Sequence, residues 1–342
     1  MTRRLICLVL VVVAVSTPAL AARRRAVTPG SPGHCKLGTV AYFASPFLFT
    51  KDATHVYWID DFDAKLFRAP LDGGEVEDLG ASFNDYVTWA MTTDATTVYI
   101  AASPTAIIDG PAPGFILTVP KNGGALATLV SGVSTPLDVE ADDTHVYWAA
   151  AGTLDFPGQH IPSDGKIERV RKDGSARQAL VEDLSTPVDV ELEGDQVWYG
   201  ETGFADDDPT VGVYRVAKTG GAVTTLNATV IAPALAVTND AVIVEGGTAT
   251  VDGGIIRVPK DGSAIRVLAQ DENITGAPVV FDGRVYYITE GEEANSLFSV
   301  PLDGSATARL VRDDLYYISN FFVDECAITA ALENANIERF AD

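Results

Sequence analysis

The chain has 342 residues, and its 47 aspartates and glutamates against 24 lysines and arginines give a formal net charge of −23. So acidic a surface repels nucleic acid and anionic lipid, because it offers few lysine or arginine contacts that would release their counterions. The charge therefore excludes a nucleic-acid partner, and it suits either a basic partner or solubility alone.

The first residues follow the order of a secretory signal peptide. Two arginines precede an apolar run from Leu5 to Val15, and Ala19-Leu20-Ala21 fits a cleavage site. The run is too short to cross a bilayer, although Arg23-Arg24-Arg25 would also suit an uncleaved anchor, and no other segment is long and apolar enough. We predict a secreted or periplasmic protein, monomeric and without membrane insertion, divided into a signal peptide (1–21), a linker (22–34) and a single domain (35–342).

A tight turn containing glycine recurs through this domain, in forms such as PLDGG, PKNGG and RKDGS. Asp-Gly and Asn-Gly supply the positive φ angles that two-residue hairpins require, so each turn joins two antiparallel strands. A β-branched and aromatic strand such as VYW or VYY precedes each hairpin, and a short apolar run precedes that strand. Four strands recurring every 40 to 50 residues, roughly, are typical of a β-propeller, whereas a β-sandwich does not repeat its turns so faithfully. The turn glycines are Gly73, Gly123, Gly174, Gly220, Gly262 and Gly304.

Six complete repeats extend from about Phe47 to Arg312, and the C-terminal segment adds the first three strands of a seventh. The missing outer strand is present at Lys36 to Pro46, so we predict that the N-terminal strand closes a seven-bladed propeller, with six blades as the alternative. Cys35 and Cys326 fall in this closing blade, and export favours one disulfide between them. Such a bond would stabilise the ring by about 4 kcal/mol or more through its very long loop, although two buried thiols would give the same pattern.

The segments HVYWID, HVYWAA and VYYITE, each followed by a hairpin similar to PLDGS, resemble the YWTD-type propellers of lipoprotein-receptor ectodomains and of their secreted bacterial relatives. The resemblance covers most of the mature chain and implies the propeller architecture. It implies no particular activity, because those families bind many different ligands. An intact YWTD tetrapeptide is absent from the sequence, so no specific receptor function carries over.

The loops between the second and third strands of the blades are rich in carboxylates, and in a propeller these loops lie on one face. We expect this face to capture a cation or a basic segment. Ca²⁺ is the cofactor that such dense carboxylates would suit, but neither DDFD nor ADDD follows the spacing of an EF-hand loop or a nine-residue RTX repeat. Exposed loops of an acidic protein are also expected to be acidic without binding an ion. His160 is the histidine placed where a ligand would be met. The predicted ligand-facing acids are Asp60, Asp61, Asp63, Asp206, Asp207 and Asp208.

Asp138 and Asp189 occupy equivalent positions in STPLDVEAD and STPVDVELE, on the innermost strands of the third and fourth blades. Two carboxylates on neighbouring inner strands would face each other in the channel, where they would hold a metal or share a proton. Alternatively, each accepts hydrogen bonds from the backbone of the adjacent blade.

The sequence contains no Gly-x-Ser-x-Gly nucleophile elbow, and its four histidines are not placed to form a three-histidine metal set at one mouth. We therefore predict an exported, non-enzymatic propeller that binds a protein or glycan ligand at its acidic loop face. The alternative is a hydrolase or lyase that uses a divalent metal in the channel, similar to the propeller lactonases.

Overall fold

The computed structural model describes residues 36–42, 46–105, 113–153, 163–203, 211–292, 294–315, 320–332 and 336–342. These residues form 28 strands, arranged as seven four-stranded antiparallel sheets. The sheets are the blades of a β-propeller, which confirms the predicted seven blades rather than six. No helix long and apolar enough to span a membrane occurs in the part of the chain that the structure describes.

Blades 1 to 6 follow one another along the chain, and the first strand of each is innermost because it contacts the first strands of the neighbouring blades. Blade 1 contains β2 (Pro46–Lys51), β3 (His55–Asp60), β4 (Lys65–Pro70) and β5 (Glu77–Ser82). Blade 2 contains β6 (Tyr86–Thr93), β7 (Thr97–Pro104), β8 (Pro113–Pro120) and β9 (Ala127–Ser134). Blade 3 contains β10 (Pro136–Ala141), β11 (His145–Ala150), β12 (Gly165–Arg171) and β13 (Gln178–Leu184).

The next three blades have the same strand order. Blade 4 contains β14 (Pro187–Glu193), β15 (Gln196–Glu201), β16 (Gly212–Ala217) and β17 (Thr224–Asn227). Blade 5 contains β18 (Ile231–Val237), β19 (Ala241–Thr248), β20 (Val251–Pro259) and β21 (Arg266–Gln270). Blade 6 contains β22 (Ile274–Phe281), β23 (Arg284–Thr289), β24 (Asn295–Pro301) and β25 (Arg309–Leu315).

Blade 7 is built from both ends of the domain, as the sequence predicted. Its strands are β26 (Phe321–Val323), β27 (Ile328–Ala331), β28 (Ile337–Phe340) and, on the outside, β1 (Gly38–Ala41). In the β1–β28 ladder Gly38 pairs with Arg339 and Thr39 pairs with Glu338. The ring is therefore closed by backbone hydrogen bonds between segments about as far apart in sequence as the domain allows.

The second strand of a blade is apolar at nearly every position because both faces of each sheet pack against a neighbouring blade. On β11, Trp148 packs with Tyr99 of blade 2. The adjacent Tyr147 points the other way and packs with Tyr199 of blade 4. Large aromatic side chains fill the wedge between two blades, which widens away from the axis, and this accounts for the recurring VYW.

Antiparallel order places the loops of each blade at two opposite faces of the ring. The loops between second and third strands and the connections between blades, such as 61–64, 83–85 and 271–273, form what we call the mouth face. The turns between first and second strands and between third and fourth strands form the opposite face, which we call the latch face.

A carboxylate in the first turn of a blade joins that blade to the next one at the latch face. In blade 2, Asp94 Oδ1 accepts the N–H groups of Thr96 (2.7 Å) and Thr97 (2.8 Å). Its Oδ2 accepts the Tyr99 hydroxyl (2.8 Å) and pairs with Lys172 Nζ of blade 3 (2.6 Å). We call such a carboxylate and its lysine a latch.

Among the described residues, latches join blades 1 to 5 in series. Burial alone would raise the pKa of Asp94, but the hydrogen bonds from Lys172, the Thr96 N–H and the Tyr99 hydroxyl outweigh burial and lower this pKa to about 2. Blade 6 has Leu302 where the lysine would stand, so no latch of this kind reaches it from blade 5. The pairs from blade 1 to blade 5 are Asp52–Lys121, Asp94–Lys172, Asp142–Lys218 and Glu193–Lys260, and Asp324 in the first turn of blade 7 pairs in the same way with Lys51 of blade 1.

Cys326 lies in the turn between β26 and β27, at the latch face of the closing blade, where its N–H is bonded to Asp324 Oδ1 (2.9 Å). Cys35 and the signal-peptide segment lie outside the described residues. The predicted Cys35–Cys326 disulfide and the cleavage after residue 21 therefore stay predictions.

Candidate binding face and channel carboxyls

The mouth face carries exposed carboxylates that have no cationic partner among the described residues. None of these side chains forms an ion pair with a residue that the structure describes. Because they come from blades 1, 5 and 6 and from the connections that follow blades 1 and 5, the negative charge extends around much of the mouth. The side chains are Asp61, Asp63, Asp85, Asp252, Asp271, Glu272 and Glu290.

Cationic side chains are rare at this face. Among the described lysines and arginines, only Lys65 and Lys166 stand at the mouth end of a strand, and each is neutralised. Lys65 Nζ lies 2.8 Å from Asp78 Oδ2, and Lys166 Nζ lies 2.7 Å from Glu182 Oε1. The other described basic residues lie along the strands or at the latch face. The negative potential of the protein is therefore concentrated at the mouth face.

The acidic loop of blade 1 is organised by Asp60. This side chain is only 8% exposed, and its Oδ1 accepts the N–H groups of Phe62 (2.9 Å) and Asp63 (3.0 Å). Asp60 thus holds the loop in shape, whereas Asp61 and Asp63 are exposed on either side of Phe62, whose exposed fraction is 81%. The other predicted loop residues, His160, Asp206, Asp207 and Asp208, lie outside the described residues.

Asp138 and Asp189 stand at the same register on β10 and β14, opposite Ala149 and Gly200 respectively. Both side chains are 3% exposed. The equivalent positions in blades 1, 2 and 5 are Leu48, Ala90 and Ala234, so this part of the channel has carboxyls in blades 3 and 4 and apolar side chains in those three blades.

Each of the two aspartates bonds the backbone of the next blade. Asp138 Oδ2 accepts the Val190 N–H (2.9 Å), and Asp189 Oδ2 accepts the Leu235 N–H (2.5 Å). Val190 and Leu235 are themselves equivalent positions on β14 and β18. The geometry is that of the predicted bonds between blades, with three inner strands tied in series.

The carboxyl groups of Asp138 and Asp189 also lie within hydrogen-bonding reach of each other. Burial raises the pKa of Asp138 to about 6. Burial, and then the charge of Asp138, raise the pKa of Asp189 well above its ordinary value. Removing a carboxylate from water disfavours its ionised form, and a second carboxylate nearby adds to the effect.

Metal ligation by this pair stays a prediction. Within the described ranges, no three His, Cys, Asp or Glu side chains are grouped as ligands for one ion. One oxygen of each aspartate already accepts a backbone N–H, so a bound Ca²⁺, which takes six to eight oxygen ligands in most proteins, would need most of its ligands from elsewhere.

The structure adds a carboxyl that the repeat pattern does not indicate. Glu245 on β19 pairs with Ala234 in the β18–β19 ladder, is partly buried, and makes no hydrogen bond or ion pair with a described residue. Burial raises the pKa of Glu245 to about 8, which favours its neutral form. The equivalent residues of blades 3 and 4 are Ala149 and Gly200, so a comparison of the repeats does not predict a buried acid at this register.

No family model matches the chain, and no curated protein matches it by sequence. Solved structures do match it by fold. The extracellular domain of a putative one-component system from Bacteroides thetaiotaomicron is similar with a TM-score of 0.61 and 10% identity, over 90% of this chain and 40% of that one. An oligogalacturonate lyase in complex with manganese is similar with a TM-score of 0.58 and 12% identity, over 75% of this chain and 76% of that one. A puromycin-hydrolysing peptidase from Mycobacterium tuberculosis is similar with a TM-score of 0.58 and 16% identity, over 83% of this chain and 47% of that one.

The chain spans less than half the length of the peptidase and of the extracellular domain. At identities of 10 to 16% the similarity establishes the fold alone. The activities named for these proteins differ, as is usual for a common fold whose function depends on its site. The structural matches confirm the propeller fold, and the YWTD-type resemblance stays a prediction.

Proposed function

We propose that this protein is an exported, non-enzymatic binding module whose mouth face binds a basic protein segment. The observation that supports the proposal is the scarcity of cationic side chains at the mouth face, where the two described lysines are each paired with an acid of the neighbouring strand. Both faces carry exposed carboxylates, but the lysines that could offset them belong to the latches at the opposite face, and the exposed mouth-face carboxylates are unpaired among the described residues.

The magnitude of surface ion pairs favours an extended partner over a single ion. One exposed pair contributes about 0.2 to 1 kcal/mol, so useful affinity needs several lysines or arginines engaged together. The unpaired carboxylates are distributed around the mouth and suit such a segment. Phe62, exposed between Asp61 and Asp63, offers an apolar contact that a purely electrostatic site would lack.

The proposal is tested by the affinity for a fluorescent lysine-rich peptide. We expect the triple variant Asp61→Asn/Asp63→Asn/Asp85→Asn to bind it about tenfold more weakly than the wild type, since three exposed pairs are lost. The matched control removes three exposed carboxylates from the latch face and changes the net charge equally. This control, Glu75→Gln/Asp143→Asn/Glu325→Gln, should change the affinity by less than about twofold.

Equal weakening by the two triple variants would show that only the net charge matters, and the mouth face would then not be a binding site. Failure of the wild type to bind the peptide at low salt would overturn the proposal for basic partners and direct the search to glycans, the other ligand class that the sequence left open.

The second candidate function is a divalent-metal-dependent hydrolase or lyase with its site at the channel mouth. The observation in its favour is the closeness of two buried carboxyls, Asp138 and Asp189. Such an enzyme needs further ligands and an open coordination position for water. Those ligands would have to come from residues outside the described ranges, or from a rearrangement of the pair.

Thermal melting of the mature protein with millimolar Ca²⁺ and with EDTA separates the two functions. For the binding module we expect the two melting temperatures to agree within about 1 °C, because a ligand raises the melting temperature only by binding the folded state. A rise of several degrees that EDTA reverses, and that Asp189→Asn abolishes, would establish a metal site at the pair and favour the enzyme.

A further inference from the structure

Two buried side chains tie three blades together at the channel. Asp138 on β10 bonds the backbone of β14 at Val190, and Asp189 on β14 bonds the backbone of β18 at Leu235. Each bond crosses a boundary between blades that no β ladder spans. Blades 3, 4 and 5 are therefore joined in series by two carboxyl groups that are themselves neighbours.

The second oxygens of the two carboxyls need a proton. Oδ1 of Asp138 and Oδ1 of Asp189 are shielded from solvent and accept no hydrogen bond from any described donor. An ionised carboxylate only accepts hydrogen bonds, so two ionised carboxylates within reach of each other repel and leave buried acceptors unsatisfied. A single proton lets one carboxyl donate to the other and removes one of the two charges.

The surroundings that the structure describes supply no compensating cation. No described lysine or arginine is among the groups that act on either aspartate. The strands packed on the pair from blades 2 and 5, which are β6, β7, β8 and β18, contain no Asp, Glu, His, Lys or Arg. The nearby charged groups on β10, β14 and β15 are acids, and Glu140 further disfavours ionisation of Asp189. These acids are Glu140, Glu191, Glu201 and, bound to Lys260 at the latch end, Glu193.

The basic groups on the remaining strands are engaged elsewhere. His145 stands at the latch end of β11. On β12, Lys166 pairs with Glu182 and Arg169 bonds Gln178, both on the outer strand β13, while Arg171 is exposed. The acid of β12, Glu168, pairs with Arg177. A proton is therefore the one positive charge within the described surroundings that is available to the pair.

We propose that Asp138 and Asp189 share one proton, that this proton locks blades 3, 4 and 5 together, and that its loss loosens this sector of the ring. The lock does not depend on what the mouth face binds. The three inner strands that it joins begin at the mouth face, so the pH at which the lock opens also sets how firmly that part of the face is held.

The direction in which stability changes with pH follows from the direction in which folding changes the two pKa values. The pKa of each aspartate is higher in the folded than in the unfolded chain. Folding therefore takes up protons, and stability falls as the pH rises from the ordinary aspartate value through the raised values. Above them, both carboxyls are ionised and the Val190 and Leu235 N–H groups are held by two repelling anions.

The experiment replaces one carboxyl by a neutral group of the same shape. Asp189→Asn keeps an oxygen to accept the Leu235 N–H and gains an N–H that donates to Asp138. We expect the variant to melt about 3 °C higher than the wild type at about pH 9 and no higher at about pH 5. Hydrogen-exchange protection factors of the Val190 and Leu235 amides should fall about tenfold from about pH 6 to about pH 9 in the wild type and stay constant in the variant.

Two further variants keep the proposal open to refutation. Asp138→Asn should act like Asp189→Asn, because a proton shared by a pair is made unnecessary by neutralising either member. Glu140→Gln leaves the pair intact and should keep the wild-type fall in protection. Parallel melting curves of Asp189→Asn and wild type across the pH range would overturn the proposal, as would loss of the pH dependence in Glu140→Gln alone.

An infrared measurement gives a readout that does not depend on stability. The folded wild type at about pH 7 should show the carbonyl band of a protonated, buried carboxylic acid, in addition to any band from Glu245, and Asp189→Asn should lose it. Identical difference spectra for the two proteins would show that the pair carries no proton, and the proposal would fail.

Discussion

Replacing Asp94 with alanine is expected to lower the free energy of unfolding by about 3 kcal/mol, because one carboxylate serves four partners. The variant leaves the Thr96 and Thr97 N–H groups without their acceptor and removes the partner of the Tyr99 hydroxyl. It also leaves Lys172 of blade 3 without its counter-charge in a partly buried site. The loss combines the unmade hydrogen bonds of a turn with a broken contact between two blades.

Denaturant unfolding of the mature protein measures this loss. Asp143→Ala is the matched control, since Asp143 is an exposed carboxylate beside the latch residue Asp142 in the corresponding turn of blade 3. The control should change the free energy of unfolding by no more than about 0.5 kcal/mol. Lys172→Met removes only the contact between blades and should lie between the two. An Asp94→Ala variant as stable as the control would mean that the latch contributes nothing.

The aspartate latches and the channel pair respond to pH in opposite directions, because the pKa values of Asp52, Asp94 and Asp142 are lowered in the folded chain and those of the pair are raised. The pKa of Asp94 falls from 3.8 to about 2 in the folded chain, so its contribution is present above the ordinary value and is lost as the pH falls toward 2. The pKa of Asp138 rises to about 6, so its contribution is lost as the pH rises. The sum of these two contributions is therefore greatest near the ordinary aspartate pKa of 3.8.

The architecture was predictable because every blade repeats the same local sequence pattern. The turn glycines, the VYW strands and the apolar inner strands each recur at the same positions of the repeat. A pattern that is weak in one repeat can therefore be recognised from the others. The closing strand was predictable for the same reason, since the Lys36–Pro46 segment resembles the outer strands of other blades. Local rules and global fold agree here, as they do in sequences that specify one structure.

The contacts between blades were harder to predict because they depend on how two repeats meet. Asp94 and Lys172 are 78 residues apart, and only the packing of blades 2 and 3 brings them together. The equivalence of Asp138 and Asp189 was readable from the sequence. That each aspartate accepts a hydrogen bond from the backbone of the next blade depends on the spacing of the inner strands around the channel. Glu245 was visible in the sequence as an acid near the mouth, but its burial was not, because no other repeat places an acid at its register.

Replacing Gly200 with alanine is expected to destabilise the protein by about 3 kcal/mol, the upper part of the usual range for overpacking a tight site. A Cβ atom built on Gly200 would lie 2.0 Å from the carbonyl oxygen and 3.1 Å from the Cβ of Ala232 in the next blade. Backbone cannot rotate aside as a side chain does, so blades 4 and 5 would have to move apart. Gly200 lies opposite Asp189 in the β14–β15 ladder, beside the bond from Asp189 to Leu235.

Blade 3 provides the control for this substitution. Ala149 is the equivalent residue, opposite Asp138, and Ala149→Gly creates no clash and should cost only about 1 kcal/mol from backbone entropy and a lost methyl group. Denaturant unfolding compares the two variants, and hydrogen exchange at Leu235 reports whether the Asp189 bond survives. If Gly200→Ala matched Ala149→Gly in stability and left Leu235 protected, blades 4 and 5 would have room to spare. The close approach that positions Asp189 against the next blade would then not be required for its bond.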